Sequence, residues 1–247
     1  MRVNELTRRV TAEFLGTAFL VAAVIGSGIA ASRLSPDDVG LQLLENSVAT
    51  GAVLVALILA LQPVSAAFNP VVTLVERALG ALSTAHAAAL IAAQTAGGIG
   101  GAIVANLMFG LDAVSISSHQ RSSGGLWLGE VVATLGLVVV IFGVVRSGRS
   151  HTVAFAVGGY ITAAYWFTSS TSFANPAVTV ARMFSDMFAG IAPGSVAMFV
   201  AMQLLGGALA LAVVTLLYPD AARLAAEITG EPVRAADRSP RGGSRLR

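Results

Sequence analysis

The chain alternates long apolar runs with short polar breaks, and the length of each run decides what it can become. Six runs approach the length of a membrane-spanning helix, about 20 apolar residues. They fall at roughly 11–32, 44–62, 86–109, 126–146, 151–168 and 196–218. The second is the weakest, because Glu45 and Asn46 stand at its start. Two further apolar pieces, near 69–80 and 175–186, each open on Asn-Pro. At 1.5 Å per residue such pieces reach about 15–18 Å, half the hydrocarbon thickness, and cannot span it. The pattern predicts an all-α membrane protein with six transmembrane helices and two re-entrant half-helices. The first run reads as a retained helix, since it is too long for the core of a signal peptide and contains Glu13.

An internal repeat organises these elements. "TAEFLGTAFLVAAVIG" in the first run echoes "LGEVVATLGLVVVIFG" in the fourth, aligning Glu13 with Glu130. "NPVVTL" echoes "NPAVTV", and "AAQTAGGIGG" echoes "AMQLLGGALA", aligning Gln94 with Gln203. Each half crosses the membrane an odd number of times, so the second copy lies upside down relative to the first. This is an inverted 3+3 repeat about an axis in the membrane plane.

Composition agrees with a lipid environment. Of 247 residues, 55% are hydrophobic and 11% charged, against roughly 25% charged in a soluble domain. No Cys is present, which excludes a disulfide framework and a thiol-ligated metal. All 15 basic residues are Arg, a bias that carries no functional reading. With the amino terminus inside, only Arg33, Arg121 and Arg182 lie outside. The positive-inside rule thus favours a multi-pass plasma-membrane protein with both termini cytoplasmic. The Ser-rich segment 112–125 reads as a solvated outer connector, and 219–247 as a disordered basic tail.

The chemistry lies in the two Asn-Pro pairs. Asn is a favoured helix N-cap and Pro a favoured first helical residue. A single pair would be an ordinary turn. Here Asn69-Pro70-Val71 and Asn175-Pro176-Ala177 both follow a Ser-containing break, both continue into Val-Thr, and both open a half-length helix in equivalent places. Half-helices entering from opposite faces can meet amino end to amino end near the midplane, where irregular backbone is tolerable if it is buried or lines a cavity. Each amino end carries about half a positive charge, so the pair opposes cations. The Asn69 and Asn175 carbonyls can cap the helices while their amides donate to a passing oxygen. A neutral hydroxylic solute is matched.

Over roughly residues 5–218 these residues resemble the aquaporin family, also called the major intrinsic proteins: doubled Asn-Pro half-helices, repeated Glu, and Gln-x-x-Gly-Gly. The resemblance implies one channel domain over 1–218, with repeats at about 5–110 and 122–218. It also implies one pore per subunit, a homotetramer in the bilayer, and neither a cofactor nor a nucleic-acid partner. Several positions depart from the family pattern. Val71 replaces the Ala of the first motif, and "SAAFNP" lacks the usual His. Val178 stands where water- and glycerol-conducting members generally place the filter Arg. Arg182 follows one turn later and is expected to face a loop. By family spacing the other filter positions fall at Thr50, Ala163 and Ser172, although Thr50 and Ala163 also suit small-residue helix packing. Together with Val178 they describe a wide, uncharged constriction. The closest resemblance is to bacterial metalloid- or glycerol-conducting members, which implies water, glycerol-like polyols and neutral acids such as arsenous acid as solutes.

The remaining ionisable residues favour structure over chemistry. Glu13 and Glu130 are expected to accept hydrogen bonds from the loop before each half-helix, since buried carboxylates need such partners. Gln94 and Gln203 are expected to bond across helices. His86, His119 and His151 show no ligand spacing, so no metal is assigned. A passive channel leads. A water-selective pore, an alternating-access transporter, an intramembrane enzyme and a closed-pore junction protein remain alternatives. No Asp or Glu lies beside either Asn-Pro, which weighs against coupled transport, and no nucleophile–base pair supports an enzyme.

Overall fold

The computed structural model describes residues 4–230. Its long helices are α1 (Glu5–Leu34), α2 (Val39–Leu61), α4 (Thr84–Met108), α5 (Gly124–Arg146), α6 (Val153–Phe167) and α8 (Pro193–Leu217). The short ones are α3 (Pro70–Ala78), α7 (Pro176–Ala181) and α9 (Ala221–Thr229). Among the described residues, five helices are long and apolar enough to cross a membrane. The sixth, α6, has 15 residues and is extended at its start by a 3-10 turn, Ser150–Thr152. Together they rise about 28 Å, close to the hydrocarbon thickness.

Local chemistry sets the helix starts. Asp38 caps α2 by accepting from Leu41 N at 2.8 Å, Ser83 caps α4 and Ser123 caps α5. The second helix therefore begins before Glu45 and Asn46, and each finds a partner within the bundle. Asn46 donates to Val24 O and Ser27 Oγ of α1, both at 2.8 Å, and Glu45 accepts from Ser35 Oγ at 2.9 Å. The half-helix α3 ends where Gly80, at φ 83°, reverses the chain in the left-handed region.

Packing follows the repeat. α1 lies along α2 and α4, α5 lies along α6 and α8, and α2 against α6 joins the halves. Each half-helix packs against the last long helix of both repeats, α3 on α4 and α8, α7 on α8 and α4. The repeated Gly pairs make this possible. Gly97 and Gly101 let α4 lie on the α1 backbone at Phe14 and Ala18, and Gly206 does the same for α8 on α5 at Val131. A methyl on Gly206 would come within 2.7 Å of Val131 O. The second Gly of each pair faces the opposite half-helix: Gly98 meets Ala177 and Ala181, and Gly207 meets Val71. Phe19, Val104, Phe155 and Leu216 are exposed on the outside of the bundle, as lipid-facing residues would be.

The tail reading needs correction at its start. Residues 221–229 form α9, whose Leu224 and Ala225 are buried against the bundle. α9 packs on α5 and α3. Arg9 Nη2 donates to Thr229 O at 2.6 Å, Ser150 Oγ donates to Glu227, and Arg146 pairs with Asp220 at 3.3 Å. Both ends of the described chain therefore meet at one end of the bundle. Residues 231–247, the rest of the expected tail, lie outside the described residues.

Candidate functional site

The two Asn-Pro pairs meet at the centre. Asn69 Oδ1 accepts from Val71 N at 2.9 Å, and Asn175 Oδ1 accepts from Ala177 N at 3.0 Å and Val178 N at 3.3 Å, each capping its own half-helix. The amides cross over: Asn69 Nδ2 donates to Ala174 O at 2.8 Å, and Asn175 Nδ2 to Phe68 O at 2.6 Å. Phe68 and Ala174, each just before its Asn, share a left-handed φ of 48° and 49°. A non-glycine residue there costs about 1–2 kcal/mol. The surrounding bonds hold both residues in that conformation, so each carbonyl faces the opposite Asn.

The expected supports hold these loops. Glu13 accepts from Ala67 N at 2.9 Å, Phe68 N at 2.7 Å, Gln94 Nε2 at 2.8 Å and Ser65 Oγ. Glu130 repeats the arrangement with Phe173 N and Ala174 N, both at 2.9 Å, and Gln203 Nε2 at 2.6 Å. Each Gln also donates to the Thr of its half-helix, Gln94 to Thr73 at 3.0 Å and Gln203 to Thr179 at 2.7 Å. Glu13, Glu130, Gln94 and Gln203 are all fully buried. Their bonds fix the loop backbone and leave these carboxylates no acid–base task.

A cavity of about 100 Å³ runs past this centre, lined by Asn69, Asn175, Thr50, Ser172 and Val178, with aliphatic walls from Leu20, Val24, Leu54 and Val157. Thr50 Oγ1 lies 3.1 Å from the Tyr165 hydroxyl. Ala163 does not reach the cavity. It is exposed on the outer side of α6, whose buried face runs through Val157, Ile161, Ala164 and Tyr165. Family spacing missed Tyr165 because the loop from Thr168 to Asn175 carries left-handed residues at Thr171, Ser172 and Ala174, so its reach is not that of regular backbone. The signal that could have found Tyr165 is the 3–4 spacing of that face.

Arg182 corrects a second expectation. It sits in a 3-10 turn, Arg182–Phe184, that continues α7, it is 2% exposed, and it lines the same cavity. Its Nε donates to Ala189 O, and its guanidinium lies 3.5 Å from the centre of the Phe173 ring. The reversal of 185–192 back over α7 turns Arg182 inward, so the cavity carries a cation after all. Val71 departs in the other direction. It is 1% exposed, does not line the cavity, and fills the space over Gly207. The change from Ala to Val there is a packing change.

At the end of the bundle where both ends of the described chain meet, a second cavity of about 290 Å³ includes Arg9, Gln62, Ser65, His151, Glu227 and Thr229. The two share Ile58, Ala66, Ala67, Glu76, Val153 and Ile228. Together they trace a path from Arg182 past both Asn side chains to Arg9. Such a path holds donors and apolar walls and can conduct a small polar solute.

Comparison with known proteins agrees with this construction. A model of the family described as Major intrinsic protein matches residues 1–153. Aquaglyceroporin AqpS of Rhizobium meliloti (strain 1021) is 51% identical over 213 residues, covering 86% of this chain and 91% of the relative. The X-ray structure of the aquaglyceroporin from Plasmodium falciparum superposes with a TM-score of 0.71 at 17% sequence identity, covering 87% of this chain and 98% of the other. That last likeness is one of fold.

Proposed function

The chain belongs to the major intrinsic protein family, and from that premise we propose that its path is a passive channel for water, glycerol-like polyols and neutral metalloid acids such as arsenous acid. The observation that carries this reading is the crossed Asn pair. Each amide has two N–H groups and commits one to the opposite loop. The other is available to an oxygen in the cavity that both Asn residues line. The amino ends of α3 and α7 add partial positive charge on both sides of that point. A cation is opposed there, a hydroxyl is accepted, and nothing in the path calls for a chemical step.

Solute range depends on the constriction of Thr50, Tyr165, Ser172, Val178 and Arg182. Val178 presents two methyls where a second guanidinium would narrow the passage and bind water strongly, and the relative named an aquaglyceroporin supports the polyol reading. Selectivity in such pores comes from diameter, lining donors and electrostatic barriers. We read residues 5–110 and 122–218 as the inverted repeats of a single channel domain. We place both termini in the cytoplasm of a plasma-membrane homotetramer, supported by the Arg distribution and the exposed apolar helix faces.

Vesicle swelling tests the solute range. Val178→Arg is expected to cut glycerol and arsenous acid permeation about tenfold, the scale of one charged hydrogen bond, while water permeation falls less. Unchanged permeation of every solute would remove Val178 from the constriction. Wild-type vesicles that pass water but exclude glycerol and arsenous acid would make the protein a water-selective channel.

A further inference from the structure

Three buried carboxylates face the interior of this bundle, and they are not alike. Glu13 and Glu130 are saturated by loop N–H groups and Gln amides. Glu76, two turns down α3 from Asn69, is also buried, at 3% exposure. No described residue donates a hydrogen bond to its carboxylate, and the charged groups within its electrostatic reach are Glu13 and Arg9. Glu13 is committed to its loop, and Arg9 already pairs with Glu5 at 3.4 Å and holds Thr229 O. Glu76 lines both cavities, at the rim where they join. A buried carboxylate without protein donors is costly unless it faces donors of another kind. Solutes in the path are the partners open to it, whether the group is ionised or protonated.

We propose that Glu76 is a specificity-determining residue, an acceptor that engages the hydroxyl groups of solutes as they pass between the crossed Asn pair and the terminal vestibule. A carboxyl group has two oxygens that accept, and when protonated it also donates through one of them. It is matched to solutes that present two adjacent O–H groups, vicinal polyols and undissociated trihydroxy acids, which can bridge both oxygens. The neighbouring side chains of Ile58, Ala66 and Val153 are apolar and offer such a solute no replacement for its lost water. Glu76 lowers that barrier for polyols more than for water, which is small enough to carry its own hydrogen-bonded neighbours. A single acceptor also binds weakly enough for release, as conduction requires. This inference rests on the reading of the path as a conduit for neutral hydroxylic solutes.

The test compares full-length wild type with Glu76→Leu, Glu76→Gln and Glu76→Asp in the same vesicle preparation. The readout is the ratio of glycerol to water permeability, in which water flux reports an intact pore. Glu76→Leu is expected to lower the ratio about tenfold and Glu76→Gln by about threefold, while Glu76→Asp stays near wild type. If Glu76→Leu fails to assemble, the nearly isosteric Glu76→Gln decides, with Glu76→Asp as its rescue. An unchanged or raised ratio in Glu76→Gln overturns the proposal. Wild-type vesicles that exclude glycerol refute the solute range of the channel itself, whereas glycerol-conducting wild type with insensitive variants refutes only the role of Glu76.

Discussion

Gly207→Ala would set a methyl against Val71 Cγ1, where α8 crosses α3. In lipid the hydrophobic effect contributes little between helices, and packing of small residues carries association. Overpacking of this kind costs about 1–3 kcal/mol. Val71→Ala alone leaves a gap worth about 2 kcal/mol. The double variant Val71→Ala with Gly207→Ala is expected to lose less than the sum, since the new methyl fills the space vacated. Thermal unfolding in detergent, followed by tryptophan fluorescence, measures all three; strict additivity would separate the two residues. The same reasoning shows what the sequence made legible at this scale. Glu13, Glu130, Gln94 and Gln203 could be assigned because each occurs twice at matched places, and a repeated polar residue in an apolar run needs a repeated partner. Tyr165 and Arg182 occur once. Their direction depends on irregular backbone at 168–175 and 185–192, whose path no periodicity encodes. Glu76 had no counterpart in the second repeat, where Arg182 stands at the matching distance from its Asn. It was therefore silent in the repeat argument.

Elements that stand at the ends of the bundle depend on a few anchors. α9 has nine residues, too few to be stable alone in water. Composition reads its surroundings as a solvated tail, yet Ala221, Leu224, Ala225 and Ile228 recur on one face and dock on the bundle. Leu224→Asp is expected to release it, seen as fast amide exchange confined to 221–229; protection equal to wild type would mean that the polar anchors alone suffice. The opposite end has a charged clamp. Ser118 N donates to Asp186 Oδ1 at 2.8 Å, Ser118 Oγ adds a bond at 3.0 Å, and His119 lies at 3.5 Å. The Ser118 backbone N–H, with help from the Ser118 and His119 side chains, holds the Asp186 carboxyl below its ordinary value against the opposing effect of burial. A lowered carboxyl stabilises the fold above its unfolded value, and that contribution fades as pH falls through the lowered one. The clamp is expected to hold down to about pH 4 and to loosen only in stronger acid. Exchange of the Ser118 amide reports it, and Asp186→Asn should loosen it at neutral pH. Loosening of the wild type already near pH 4 would show that the carboxyl titrates normally.

At the scale of the whole molecule, two inverted halves supply one path, and each half completes the other. Phe68 and Ala174 present their carbonyls to the opposite Asn, and Gly98 and Gly207 make room for the opposite half-helix. Neither repeat could line the centre alone. The architecture was readable because apolar run length separates spanning helices from half-helices, and because the odd number of crossings fixes the inversion. The size of the constriction was not, since it depends on how far Arg182 and Tyr165 lean into the path. The central claim is that this path conducts neutral hydroxylic solutes passively and opposes ions. Stopped-flow light scattering of vesicles under an inward glycerol gradient, with a pH-sensitive dye trapped inside, tests it in one preparation. Glycerol entry is expected well above that of protein-free vesicles, linear in concentration, with no accompanying proton movement. Glycerol entry that saturates and follows a proton gradient, or that does not exceed the protein-free rate, would contradict it.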